Sequence, residues 1–137
     1  MFSKSSVILV VDDSAAIRTM IISQLKTMGY TSVLLAENGK DAIEKLDTHY
    51  KTGGQVHLAI VDWKMPEIDG IELLRFMKKQ SNYKTIPFMM IAAEREMDKI
   101  VQAMTEGVSE YLVKPFTLEQ LSGQMERIWK RLSGAET

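Results

Sequence analysis

Residues Val56 to Gly70 read VHLAIVDWKMPEIDG, an apolar run closed by one carboxylate and followed by a turn of special residues. Val56, Leu58, Ala59, Ile60 and Val61 have the pattern of a strand buried on both faces, as in the middle of a parallel sheet. Asp62 closes the run. An unpaired charge is too costly inside such a core, so Asp62 belongs at the carboxyl end of the strand, the edge where open α/β sheets bind ligands. Pro66 and Asp69-Gly70 then turn the chain into a helix.

Outward from this stretch the same alternation recurs. Ser6 to Val11 is a second buried strand and ends in Asp12 and Asp13; Ser14 is placed to cap a helix bearing Ile17, Met20, Ile21, Leu25 and Met28, which Gly29 closes. Thr31 to Ala36 reads as a strand, Asn38-Gly39 as a turn, and Ile43, Leu46 and Tyr50 as a helix face. After Gly70, a helix marked by Ile71, Leu74 and Met77 precedes a strand over Pro87 to Ile91. Met97, Ile100, Val101 and Met104 then mark a helix closed by Gly107. Glu110 to Val113 is the last strand, and Lys114-Pro115 stops it. Thr117-Leu118-Glu119-Gln120 opens a final helix as a capping box, with Leu121, Met125, Ile128 and Leu132 on one face and a small polar tail beyond.

Five strands alternating with five helices predict one α/β domain over residues 1–137, its core from about 6 to 132. The sheet is expected to be parallel, in strand order 2-1-3-4-5, with helices on both faces. That order sets the ends of the first and third strands side by side, so Asp12, Asp13 and Asp62 converge.

Composition narrows the chemistry. With a net charge of −1, bulk electrostatics favour neither nucleic acid nor an anionic membrane, and with no cysteine, thiolate chemistry and cysteine-bound metals are excluded. The apolar run Val7 to Val11 is too short to span a membrane, so a cytoplasmic protein is the expectation. Three carboxylates at one sheet edge repel: at an effective dielectric near 20, two unit charges about 4 Å apart cost roughly 4 kcal/mol. Oxygen ligands with open positions suit Mg²⁺. Lys114 adds a fixed positive charge, and the two cations together could neutralise a phosphoryl group in transit, with Asp62 as nucleophile.

The blocks VVDDS (Val10 to Ser14), DWKMPEIDG (Asp62 to Gly70) and YLVKPFT (Tyr111 to Thr117) occur in this order at compatible spacing. Together they resemble the receiver domain of response regulators, most of all the single-domain chemotaxis regulators, over about Ser6 to Leu132. The resemblance implies that Asp62 accepts a phosphoryl group from a histidine kinase. It also implies that Asp12, Asp13 and Asp62 hold Mg²⁺ with the backbone carbonyl of Lys64, that Lys114 contacts the phosphoryl oxygens, and that Lys114-Pro115 is cis. A downstream protein would dock on the fourth helix, fifth strand and fifth helix. Members of this family assist their own phosphorylation and dephosphorylation and are not enzymes in the usual sense.

Two positions depart from the family pattern. Ala92 stands where the family carries a Ser or Thr that bonds the phosphoryl group and draws the next loop inward. One hydrogen bond to a charged group is worth roughly 1.5 to 3 kcal/mol, whereas moving a switch from 1:99 to 99:1 takes about 5.5. Its loss should weaken coupling without preventing phosphorylation. Lys64, two residues past the acceptor, often replaced by Asn in the family, can pair with Glu94 or reach into the site, so both bear on the lifetime of the phosphoryl group.

Plainer readings stand beside these. Asp12-Asp13 could cap a helix, Asp62 could be a turn residue, Lys114 a surface lysine. Tyr111 matches the family's aromatic switch position but also suits a half-buried strand, where Ala92 leaves room for it to stay inward. Met97 and Met104 suit core packing better than a partner surface, His49 and His57 lack ligand spacing, and Trp63 could report on metal binding. The leading function is a phosphorylatable switch whose output is protein binding; the alternative is a phosphorylation-insensitive interaction module disabled by Ala92. A phosphatase using an aspartyl intermediate would need a second Asp where Lys64 stands, and a flavodoxin-like cofactor binder would not offer Asp12-Asp13 to a phosphate.

Overall fold

Successive side chains of a strand point to opposite faces, and here both faces are covered. In the computed structural model, which describes residues 1–134, Leu9, Val11, Ala59, Val61, Phe88, Met90 and Ala92 pack into one core, and Ile8, Val10, Leu58, Ile60, Met89 and Ile91 into another. This double burial is why β1 (Ile8–Val11), β3 (Leu58–Asp62) and β4 (Phe88–Ala93) read as unbroken apolar runs. β2 (Val33–Ala36) and β5 (Glu110–Lys114) complete the parallel sheet that the alternation predicts, in the expected order β2-β1-β3-β4-β5. The last three residues of the polar tail lie outside the described residues.

Helices α2 (Gly39–Lys51), α3 (Gly70–Lys78) and α4 (Ile100–Thr105) cover the first core; α1 (Ala15–Thr27) and α5 (Leu118–Ser133) cover the second. Ser14 caps α1 by accepting from the Ile17 amide, and Thr117 and Gln120 form the capping box of α5. Asn38 and Asp69, expected in turns, are helix caps: Asn38 accepts from Asp41, and Asp69 shares a full capping box with Glu72. Gly70 is required by space, since a Cβ there would lie 2.6 Å from the Asp62 carbonyl oxygen. Glu67, in the same loop, has φ of 66°, a left-handed conformation that an ordinary side chain adopts at a cost.

The segment after β4 departs from the expected helix. Glu94–Lys99 forms a 3-10 helix, and α4 begins only at Ile100. The Glu96 carboxylate reaches back to the Ala93 amide at 2.8 Å and tightens the first turn. Val101, expected on the apolar face, is 73% exposed, while Met97 and Met104 pack against the core. Leu132 is exposed as well, because the buried stripe of α5 ends at Ile128.

Candidate functional site

Sheet register builds the site. Val11 is paired with Val61, so the next residues, Asp12 and Asp62, emerge side by side. They continue the face of Val10 and Ile60. Ala93 is paired with Lys114 on the other side of β4, which sets the lysine at the same edge. Asp12 and Asp62 are both buried, Asp13 is exposed, and each of the three offers an oxygen within 4.8 Å of the others.

Lys114 does not stand apart from the acids. Its Nζ lies 3.1 Å from Asp62 Oδ1 and 3.2 Å from Asp12 Oδ2, bridging the two buried carboxylates. Burial opposes its charge, but Asp62 and then Asp12 outweigh that and hold its pKa above the usual lysine value. Asp62 goes the other way. Burial and the Asp12 charge outweigh the attraction of Lys114 and raise its pKa to about 6.

Asp12 is fixed through its backbone and one oxygen. Its Oδ1 accepts from the Ser14 amide at 2.8 Å, and its carbonyl accepts from Arg18 Nη1 at 2.6 Å. Its Oδ2 is fully buried and, though at ion-pair distance from Lys114, has no aligned hydrogen-bond donor. One ammonium against three carboxylates leaves the mouth acidic, and a buried oxygen lacks a donor. Such an all-oxygen donor set fits a hard divalent cation.

Over residues 8–126 the sequence matches the model of the response regulator receiver domain. The chain belongs to the receiver domain family. Chemotaxis protein CheY1 of Helicobacter pylori is 40% identical over 119 residues, covering 87% of this chain and 93% of that protein. Chemotaxis protein CheY of Pseudomonas aeruginosa is 35% identical over 127 residues, covering 93% and 98%. Among solved structures, Vibrio cholerae chemotaxis protein CheY4 superposes with a TM-score of 0.79 at 31% identity, covering 90% of this chain and 98% of that one. A response regulator receiver domain protein from Clostridium thermocellum gives 0.81 at 28%, covering 93% and 97%. Receivers are phosphoacceptors of two-component signalling, and the acidic trio is compatible with the Mg²⁺ that they bind.

The remaining positions divide. The Lys114-Pro115 peptide is cis, as the resemblance implied. Ala92 is wholly buried inside β4, and Tyr111 is half-buried against the same core. Lys64 and Glu94 are both exposed, and among the described residues Lys64 has no ion-pair partner, Glu94 included. Trp63 is buried in the core and not a free loop side chain. Sequence reasoning missed Arg18 and Glu96. Arg18 sits four residues past the capping Ser14, one turn into α1, a spacing that signalled its reach; nothing in the charged run EREMDK singled out Glu96.

Proposed function

We propose that this receiver accepts a phosphoryl group on Asp62 from a histidine kinase in the cytoplasm and signals by binding a protein partner, with residues 1–137 acting as one domain. The observation that supports it best is the Lys114 bridge between Asp12 and Asp62 beside the exposed carboxylate of Asp13. Asp12, Asp13 and Asp62, with the Lys64 carbonyl, would hold Mg²⁺. When bound, the ion supplies positive charge to the phosphoryl oxygens.

With its pKa at about 6, Asp62 is mostly ionised at pH 7 and nucleophilic. One of its oxygens attacks phosphorus and forms the acyl-phosphate O–P bond. The P–N bond of the donor phosphohistidine breaks, and its electron pair stays on the imidazole. Lys114, already 3.1 Å from Asp62, remains beside the transferred group as a fixed cation. Asp12, pinned by the Ser14 amide and Arg18, keeps Lys114 in place. Lys64 and Glu94 flank the mouth, where each can admit or exclude the water that ends the phosphorylated state.

The partner face is α4, β5 and α5. It carries the exposed Val101 and a groove of about 360 Å³ lined by residues that include Tyr111, Gln124 and Arg127. A net charge of −1 gives neither a nucleic acid nor an anionic membrane a bulk electrostatic attraction. Among the described residues no helix is long and apolar enough to cross a bilayer. The test is labelling with acetyl phosphate or phosphoramidate: incorporation requires Mg²⁺ and is abolished in Asp62→Asn. Labelling that survives this substitution overturns the assignment.

Ala92 favours a second reading. Its side chain is fully buried and has no hydroxyl, so a partner could bind this chain in either phosphorylation state. Partner affinity that rises tenfold or more on phosphorylation would exclude that alternative.

A further inference from the structure

We infer that Glu96 is an internal ligand of the Ala93 amide and that an acyl phosphate on Asp62 takes its place, which couples the acceptor to the 3-10 segment without a hydroxyl at position 92. The inference rests on Asp62 as acceptor. Its starting point is the direction of the β4 backbone. The carbonyls of Pro87 and Ile91 accept from Ala59 and Trp63, so odd-numbered residues of β4 turn their polar groups toward β3. With a period of two, the Ala93 N–H also points to that side. There β3 has ended, for its last paired residue, Asp62, lies opposite Ile91. Ala93 is paired with Lys114, whose ammonium lies 3.1 Å from Asp62. The Ala93 amide therefore opens on the acidic mouth with no strand partner.

Glu96 fills that vacancy. Its Oε1 accepts the Ala93 N–H at 2.8 Å, although the side chain is only 3% exposed and its Oε2 has no donor. A carboxylate buried with one oxygen unsatisfied is a poor permanent ligand, because the desolvation of that oxygen offsets part of the bond. A phosphoryl group on Asp62 brings three strong acceptor oxygens to the same mouth. When one of them takes the amide, Glu96 is released. The 3-10 segment Glu94–Lys99, which it caps, then loosens at the entry to α4.

The test uses the full chain with beryllofluoride as the phosphoryl mimic and amide exchange read residue by residue. In the wild type, Mg²⁺ with beryllofluoride should leave Ala93 protected while amides of 94–99 exchange about tenfold faster. In Glu96→Ala, without Mg²⁺, the Ala93 amide should exchange about tenfold faster. Beryllofluoride should bind that variant about tenfold more tightly, the effect of removing one charged competitor for a hydrogen bond. Glu96→Gln, which keeps an acceptor oxygen, should fall between. Unchanged exchange of 94–99 in the wild type, or beryllofluoride affinity in Glu96→Ala within about twofold of wild type, overturns the inference. Asp62→Asn in the same titration separates the two claims: binding lost there while Glu96→Ala matches wild type rejects the Glu96 role alone, and binding retained there rejects Asp62 as acceptor.

Discussion

The ends of β3 and β4 lie at the same edge of the sheet and are built in opposite ways. β3 ends in a buried charge, Asp62, whose pKa is pushed up to about 6 by burial and Asp12 against the pull of Lys114. β4 ends in two alanines, with its last amide satisfied by Glu96 three residues on. The first end is governed by long-range partners that the sheet register delivers from β1 and β5. The second is governed by a contact within its own loop. On the proposed assignments the contrast separates two properties of a receiver, with the chemistry of the acceptor at the β3 end and the transmission of its state at the β4 end.

The largest effect is expected at the lysine. Lys114→Met leaves Asp12 and Asp62 facing each other without a cation. In EDTA at pH 7.5 we expect a loss of about 3 kcal/mol in urea unfolding, the usual cost of stripping one partner from a buried pair. Phosphoryl labelling should slow about 100-fold, the effect of removing one charge stabiliser from a transition state. A variant as stable as wild type in EDTA would show that the β3 end is not charge-coupled.

The next largest effect is expected at the proposed acceptor, Asp62. Its folded pKa lies above the ordinary value of 3.8, so its contribution to stability is fully present below that pH and lost as pH rises through about 6. The difference is worth about 3 kcal/mol. Asp62→Asn abolishes this dependence. In EDTA, chemical unfolding should find the variant more stable than wild type at pH 7.5 and nearly equal to it at pH 4. Equal stability at both pH values would refute the raised pKa.

A smaller effect is expected at the other end. Ala92→Thr restores a hydroxyl and should raise the coupling between beryllofluoride binding and exchange of residues 94–99 about tenfold, one charged hydrogen bond. It should leave the rate of labelling within about threefold of wild type. A large change in labelling would show that the two ends do not divide the work. The smallest effect lies in the β3–α3 loop, where Glu67 holds φ of 66°. Glu67→Asn should stabilise the fold by about 0.5 to 1 kcal/mol, seen as a higher melting temperature, with labelling unchanged.

The two ends were unequally legible in the sequence. At the β3 end, apolar runs stopping at carboxylates showed both the strands and their exits, and short parallel connections brought Asp12, Asp13 and Asp62 together. The bridging position of Lys114 was not legible: the expected strand order set β5 beside β4, but the reach of its ammonium to both Asp12 and Asp62 is settled only by side-chain packing at that edge. At the β4 end, EREMDK reads as a solvated start to a helix; only the three-dimensional path shows Glu96 turned inward and the segment tightened to a 3-10 helix. The burial of Trp63 was not legible either, since the residue after a strand carries no pattern that reveals it.

The most direct test of the account is to locate the phosphoryl group. After incubation with acetyl phosphate and Mg²⁺, borohydride reduction and peptide mass spectrometry should find a single modified residue, Asp62, and none when EDTA replaces the metal. Modification at Asp12, Asp13 or a histidine, or equal labelling in EDTA, would contradict it.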